Sequence, residues 1–368
     1  MKIALVHDHL NQNGGAEKVL EKLHSMYNDS PIFTLVYDEK KLPHKYRNKD
    51  IKTSFIQRIP LGVSKFEWFL VFMPAATEHY DLSKYDVIVS SASAFSKGII
   101  TKPDALHICY CHTPTRYLWT DSHNYIQELR HNVLIKKTLP LVLTKLRQWD
   151  RLAAERVNVF VANSEEVRKR IKKYYRRDSI VIYPPVETSK FKVRSHPDDY
   201  FLTGGRLVPY KRFDLTIQTF NRLGMKLKVF GEGPLFKKLK KMAGPTIEFL
   251  GKIDEATKIE LFEKCLAFIN PQVEDFGITT VEAMAAGRPV IAYNKGGSLE
   301  TVIEGKTGHL FDEQEWETLA DVLIRFKPEN FDPHVIRQHA LQFDESVYQE
   351  KMDNLVNKAW EKFSNRDK

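Results

Sequence analysis

Residues 274–290 read Glu274-Asp275-Phe276-Gly277-Ile278-Thr279-Thr280-Val281-Glu282-Ala283-Met284-Ala285-Ala286-Gly287-Arg288-Pro289-Val290. An apolar run at 266–270 ends at Asn270-Pro271, a polar loop follows, and a short helix is expected over 279–286, stopped by Gly287. A second apolar run, 290–293, comes next. Strand, loop, helix and strand in that order make one βαβ unit, which calls for a parallel sheet and a right-handed crossover. The pattern extends both ways: apolar runs at 201–203, 226–230 and 247–250 read as strands, with a helix at 212–222 between the first two.

The amino-terminal half repeats the scheme. Strands are expected at 3–7, 32–37, 86–91, 107–111 and 159–163, and helices at 16–27 and 164–175. Apolarity on successive residues suits strands buried on both faces. The halves part at Tyr183-Pro184-Pro185-Val186, and the polar stretch 187–200 reads as a stiff linker. Near the end, Tyr348, Met352, Leu355, Val356, Ala359, Trp360 and Phe363 recur on one helical face. The expected fold class is α/β, with two doubly wound domains facing across a cleft at the carboxyl ends of their strands, where ligands bind in such folds.

Length and composition agree with this division. The chain has 368 residues, 42% hydrophobic and 28% charged, which suits two soluble globular domains. Fifty-six Lys and Arg against 47 Asp and Glu leave a net charge of +9, which favours anionic partners such as phosphorylated ligands, nucleic acid or an acidic membrane surface. Cys109, Cys111 and Cys265 cannot form a disulfide framework, and one C-x-C pair is a poor zinc site. Their plain reading is small buried hydrophobes in a reducing compartment. The start of the chain does not read as a signal peptide, and no apolar run reaches the ~18–20 residues of a membrane span. The expected location is cytoplasmic.

Four segments carry chemistry. In the first, 7–17, Gly14 and Gly15 open a helix after a strand, where backbone amides can meet an anion; a tight turn without a ligand is the plain alternative. The dinucleotide fingerprint is missing, since Gly231-Glu232-Gly233 has Phe236 where the third glycine belongs. Gly305-Lys306-Thr307 lacks the first glycine of a P-loop, with Glu300 in its place, so kinase and ATPase readings fall. In the second segment, His112, Thr113, Thr115 and Arg116 crowd the end of one strand and suit a polar ligand. One histidine among thirteen would by itself more often be structural.

The third segment, 204–212, sets Arg206 and Lys211 on a glycine-containing loop stiffened by Pro209. Arg offers a planar fork to phosphate oxygens and Lys a point charge, so a diphosphate is expected; an ordinary basic loop is the alternative. The fourth is 274–290 itself. Glu274 and Glu282 bracket a helix start at which the amides of Ile278, Thr279 and Thr280 are expected to be free for a phosphate. Carboxylates accept hydrogen bonds from sugar hydroxyls, which points to a nucleotide-sugar. Paired carboxylates also suit a glycosidase, but a hydrolase does not need the basic loop.

With these residues assembled, the chain resembles the retaining glycosyltransferases of family 4, which have the GT-B fold, through nearly its whole length. That family pairs two carboxylates with seven residues between them, as in Glu274 and Glu282, and its diphosphate-binding Arg and Lys match Arg206 and Lys211. Its amino-terminal glycine loop matches Gly14-Gly15 and its cleft histidine His112. The segments 110–114 and 296–301 further resemble the O-antigen mannosyltransferase branch that uses GDP-mannose.

The resemblance implies domains at 1–183 for the acceptor and 184–343 for the nucleotide-sugar, with 344–368 crossing back onto the first. It implies donor contacts from Gly14, Gly15, Arg206, Lys211, Lys252, Ile253, Glu274, Phe276, Gly277, Ile278, Thr279 and Glu282, and catalytic roles for His112, Arg206, Lys211 and Glu274. A hexose, mannose for preference, would pass from GDP-mannose to a saccharide or lipid-linked oligosaccharide, in polysaccharide biosynthesis. A UDP-sugar donor is the alternative, followed by a saccharide hydrolase or phosphorylase and a nucleic-acid-binding module. No cofactor and no metal are expected, since the chain has no Asp-x-Asp. Segments 59–76 and 131–156, the latter with Lys136, Lys137 and Lys145, place apolar residues beside basic ones and suggest contact with an anionic membrane surface.

Overall fold

The computed structural model describes residues 1–43, 46–120, 122 and 133–365, with the backbone alone at 133–137. The chain divides into two compact units, Met1–Pro185 with Tyr348–Lys368, and Val186–Val347. Each is built on one parallel sheet.

The first unit has strands β1 (Ile3–His7), β2 (Ile32–Thr34), β3 (Ile51–Thr53), β4 (Val87–Ala92), β5 (Leu106–Cys111), β6 (Val159–Ala162) and β7 (Ile180–Val181), ordered β3-β2-β1-β4-β5-β6-β7. Alternate residues of the central strands enter different clusters. Leu5, Val87, Val89, Ile108 and Tyr110 join one, Ala4, Val6 and Ile88 a second, and Cys109 and Cys111 a third. Period-two alternation between apolar faces explains why these strands are apolar at nearly every position. Each fully buried aliphatic side chain contributes roughly 1.5–3 kcal/mol. The helix Glu345–Ser364 adds Tyr348, Met352 and Val356 to the first cluster, with Leu355, Ala359, Trp360 and Phe363 alongside. All three cysteines are buried, and none is in a disulfide.

The second unit has β8 (Phe201–Gly204), β9 (Leu227–Phe230), β10 (Ile247–Gly251), β11 (Phe268–Asn270), β12 (Val290–Tyr293) and β13 (Gly308–Phe311), ordered β10-β9-β8-β11-β12-β13. Strand order reverses between β1 and β4 in one sheet and between β8 and β11 in the other. Loops diverge from the sheet at these two places and leave a crevice at the strand ends. The chemistry-bearing segments follow those very strands or their neighbours.

Three expectations change. The strand expected over 32–37 stops at Thr34, because the next residues turn to the loop after β1: Leu35 N donates to Asp8 O at 3.1 Å and Leu10 N to Val36 O at 2.8 Å. Strands β3, β7 and β13 were not anticipated. The stretch 187–200 is not a free linker, since it is tied to the second unit. Val186 N donates to Phe343 O at 3.1 Å, Lys192 N to Glu263 Oε1 at 2.8 Å, and Arg194 Nε to Glu263 Oε2 at 2.9 Å.

Candidate active site

At the end of β1 the Asp8 carboxylate is buried and accepts four backbone amides from the loop after β4, Ser93 at 2.6 Å, Ala94 at 2.9 Å, Phe95 at 2.8 Å and Ser96 at 2.7 Å. Burial pushes this carboxyl up, but His7 beside it and the amides of Ser96 and Ser93 outweigh burial and hold it below its ordinary range. Asp8 thus fastens the two strand ends of the switch point together. Gly14 then caps the helix Gly15–Met26. Its amide is not left to a ligand, as the sequence suggested: it donates to Glu17 Oε2 at 2.8 Å, the half of a capping box that the N3 carboxylate supplies.

His112 follows β5. Its amide donates to Ala92 O at 2.8 Å, and its Nε2 lies 2.8 Å from Ser91 Oγ. The two threonine hydroxyls beside it are engaged within the protein, which corrects the expectation that they serve a ligand. Arg170 Nη1 donates to Thr113 Oγ1 at 3.1 Å, and Thr115 Oγ1 donates to Asp150 Oδ1 at 2.9 Å.

In the second unit the loops after β8 and β9 meet backbone to backbone. A Cβ on Gly231 would lie 1.9 Å from Gly205 O, and one on Gly233 would lie 2.4 Å from Leu207 O. Glycine at these two positions therefore serves loop packing, whatever else it serves. On the β8 loop Arg206 stands exposed, and Lys211 reaches across to the loop after β11. Its Nζ lies 3.1 Å from Glu274 Oε1, which also accepts from Gln272 Nε2 at 2.7 Å. Gly297 N donates to Glu274 O at 2.9 Å and fixes the backbone there.

Gly277, with φ at +96°, caps the helix Ile278–Ala285. Thr280 N donates to Gly277 O at 3.0 Å, so the expected set of three free amides reduces to those of Ile278 and Thr279. The Phe276 ring is buried against Phe343, 5.4 Å between centroids, so only its backbone is available to a donor. Glu282 is buried on the same helix, with Lys258 Nζ 2.6 Å from its Oε2. Exposed Lys252 and half-buried Ile253 follow β10, at the sheet edge two strands from β8.

Lys211 and Glu274 are thus brought into contact, while Arg206 and Lys252 stand at the surface. Sequence reasoning missed Gln272, Lys258, Ser91 and Asp8. Gln272 carried a signal, since it is a polar residue at the strand end two positions before Glu274. Around the same strand end, Asn270 Oδ1, Gln272 Oε1 and Thr280 Oγ1 are buried without a hydrogen-bond partner among the described residues. Buried polar atoms normally find partners, so three orphans at one strand end suit a polar ligand.

Both halves of the chain match known protein families. Residues 13–190 match the model "Glycosyltransferase Family 4", and residues 185–342 match "Glycosyl transferases group 1". The chain is 28% identical to the alpha-1,3/1,6-mannosyltransferase ALG2 of Dictyostelium discoideum over 278 residues, which is 62% of this chain and 63% of that protein. It is 34% identical to the phosphatidyl-myo-inositol mannosyltransferase of Mycobacterium leprae over 105 residues, 27% of this chain and 28% of that one. The Anabaena protein HepE, solved in complex with UDP, has a TM-score of 0.73 at 18% identity over 97% of this chain and 100% of its own, a likeness of fold. Two adjoining glycosyltransferase models thus match the two units in turn, and the two Rossmann-like sheets have the GT-B fold. It spans 63% and 64% of the first curated relatives it matches.

Proposed function

We propose that this protein transfers a hexose, mannose from GDP-mannose, to a saccharide or lipid-linked oligosaccharide, with retention at the anomeric carbon and without a metal. The observation that carries the reading is the cluster at the second switch point, where Lys211 holds Glu274 on the loop that leads into the helix Ile278–Ala285. The C1–phosphate bond breaks as the acceptor oxygen bonds to C1, and the acceptor proton leaves with the nucleoside diphosphate. Negative charge therefore grows on the diphosphate. Lys211, Arg206 and the helix end are the groups to meet it, as preorganised electrostatic stabilisation. Glu274 accepts from sugar hydroxyls, Glu282 from the ribose, and His112 lies by the reacting carbon. Gly14 and Gly15 pack against the donor, and the backbone near Lys252 and Ile253 meets the base. Mannosyltransferases of several kinds among the relatives support mannose, without favouring the O-antigen branch.

A thermal-shift series with GDP, UDP and ADP tests the donor. A ligand at a hundred times its Kd stabilises the state it binds by about 2.7 kcal/mol, so GDP should raise the melting temperature by several degrees and UDP and ADP far less. A larger shift with UDP would transfer the proposal to UDP-sugars, and none with any of the three would remove the nucleotide site.

The membrane contact belongs to the same reading. Leu61, Trp68, Val71 and Phe72 are each more than half exposed, with Arg58 and Lys65 exposed in the same stretch. Met73 is buried, and Phe66, Phe69 and Leu70 pack partly into a cluster with Leu139, Val142, Leu143 and Leu146 of the helix Val133–Glu155. The two segments nominated from the sequence thus share one cluster. The first is a 3-10 helix, Phe66–Phe72, interrupted at Phe69. Of the expected lysines, Lys145 is exposed; the side chains of Lys136 and Lys137 lie outside the described residues. No helix among the described residues is long and apolar enough to span a membrane. Exposed Trp and Phe beside basic residues suit an anionic lipid interface. Cosedimentation with phosphatidylglycerol vesicles should exceed that with phosphatidylcholine and fall on Trp68→Ser with Phe72→Ser. Equal recovery in the supernatant with both lipids at low salt would rule the contact out.

A further inference from the structure

Gln272 lies two residues beyond β11 and is 1% exposed. Its Nε2 donates to Glu274 Oε1 at 2.7 Å. Among the described residues the side chain makes no other hydrogen bond, and its own Oε1 is buried without a partner. Lys211 Nζ reaches the same Glu274 oxygen at 3.1 Å from the loop after β8. Two donors thus meet on Oε1, while Oε2 accepts from no described residue, on a side chain that is 16% exposed. We propose that Gln272 is a positioning residue for transfer: its amide fixes the Glu274 carboxylate with Oε2 turned to the donor sugar, and keeps it there while Lys211 serves the diphosphate. This rests on the reading above, in which Glu274 accepts from the sugar and Lys211 meets the diphosphate.

The division of labour follows from charge. A lysine ammonium is a point charge on a flexible stem, so a diphosphate arriving beside Lys211 draws on the same group that holds Glu274. A glutamine amide carries no net charge and feels no such pull. Its direction is settled by its neighbour, because an ionised carboxylate only accepts, and Nε2 rather than Oε1 must face it. The backbone beneath is pinned as well: Glu274 is bridged to Gly296, and Gly297 N donates to Glu274 O at 2.9 Å. A neutral donor also orients the carboxylate without cancelling the charge that sugar hydroxyls meet. A purely structural role would leave the polarity of Gln272 unexplained, since a methionine would fill the same buried space without an unpaired carbonyl.

Gln272→Met tests this, because it keeps the length of the side chain and removes the donor. It should lower kcat at least tenfold, roughly the scale of a lost hydrogen bond to a charged group. Affinity for GDP, which carries no sugar, and the melting temperature should stay close to wild type. Made in Glu274→Ala, the same substitution should cost nothing further, because Gln272 acts through that carboxylate. Unchanged kcat, an equal loss in both backgrounds, or a large fall in melting temperature would overturn the proposal. A second readout does not depend on transfer. The Gln272 side-chain amide protons, identified by their absence from Gln272→Met, should include one resonating downfield of ordinary glutamine amides in the full chain, as a charge-assisted bond requires, and returning in Glu274→Ala. An amide signal that Glu274→Ala leaves in place would overturn the proposal even in an active enzyme. Wild-type transfer by Glu274→Ala beside a shifted amide would instead refute the sugar-facing reading of Glu274, and the positioning role with it, while the contact itself stood.

Discussion

Arg206→Ala is expected to lower transfer about a hundredfold while leaving the melting temperature where it was, and Lys211→Ala to lower it at least as much. Each substitution removes a positive charge from the place where a departing diphosphate gathers negative charge. Losing one preorganised stabiliser of that kind typically costs ~3 kcal/mol, on the order of a hundredfold in rate. Arg206 is exposed, so its loss should not disturb the fold. Lys211 differs because its Nζ lies 3.1 Å from Glu274 Oε1. Its removal takes away the cation that positions the sugar-facing carboxylate, leaving Gln272 as the donor to that oxygen. Steady-state rates at saturating donor would show the effect, and wild-type turnover in either variant would contradict the assigned roles.

The largest effect on stability is expected from Glu282→Ala. Besides its proposed contact with the ribose, Glu282 has a structural role: it is buried, and Lys258 Nζ lies 2.6 Å from its Oε2, with 14% of the lysine side chain exposed. Breaking such a pair leaves a largely buried ammonium unmatched, a cost of about 3 kcal/mol, somewhat relieved by the lysine's access to water. The second unit should then unfold at clearly lower denaturant concentration. Changing both partners, as in Glu282→Gln with Lys258→Met, removes the unmatched charge and should restore most of that stability while GDP binding stays weak. A double variant as unstable as Glu282→Ala would show that the pair is not the cause.

The parts of this protein that could be read from the chain are those in which the signal is local. The run 266–293 reads as strand, helix and strand because each piece is apolar over several residues and Gly287 ends the helix; β11 and β12 follow. Strands β3 and β7 have three residues and two, too few for a pattern to emerge. Strand β13 begins at Gly308, whose Cβ would sit 1.9 Å from Val290 O; close packing dictates a residue that reads as a strand breaker.

The site divides in the same way. Lys211 and Glu274 could be named from their loops and a family resemblance, although 63 residues separate them. Asp8 could not, because the four amides it holds lie 85–88 residues onward and leave no mark on its own segment. Thr113 and Thr115 misled for the same reason. Their hydroxyls look available in the sequence, and their partners, Arg170 and Asp150, become visible only when the helices pack.

The central claim is tested most directly by incubating the purified chain with GDP-mannose and a saccharide acceptor in excess EDTA, and following the product by proton NMR. The account predicts one GDP released per mannose transferred and a new glycoside with the donor's own anomeric configuration. Inverted product, GDP release that needs no acceptor, or activity abolished by EDTA and restored by magnesium or manganese would contradict it.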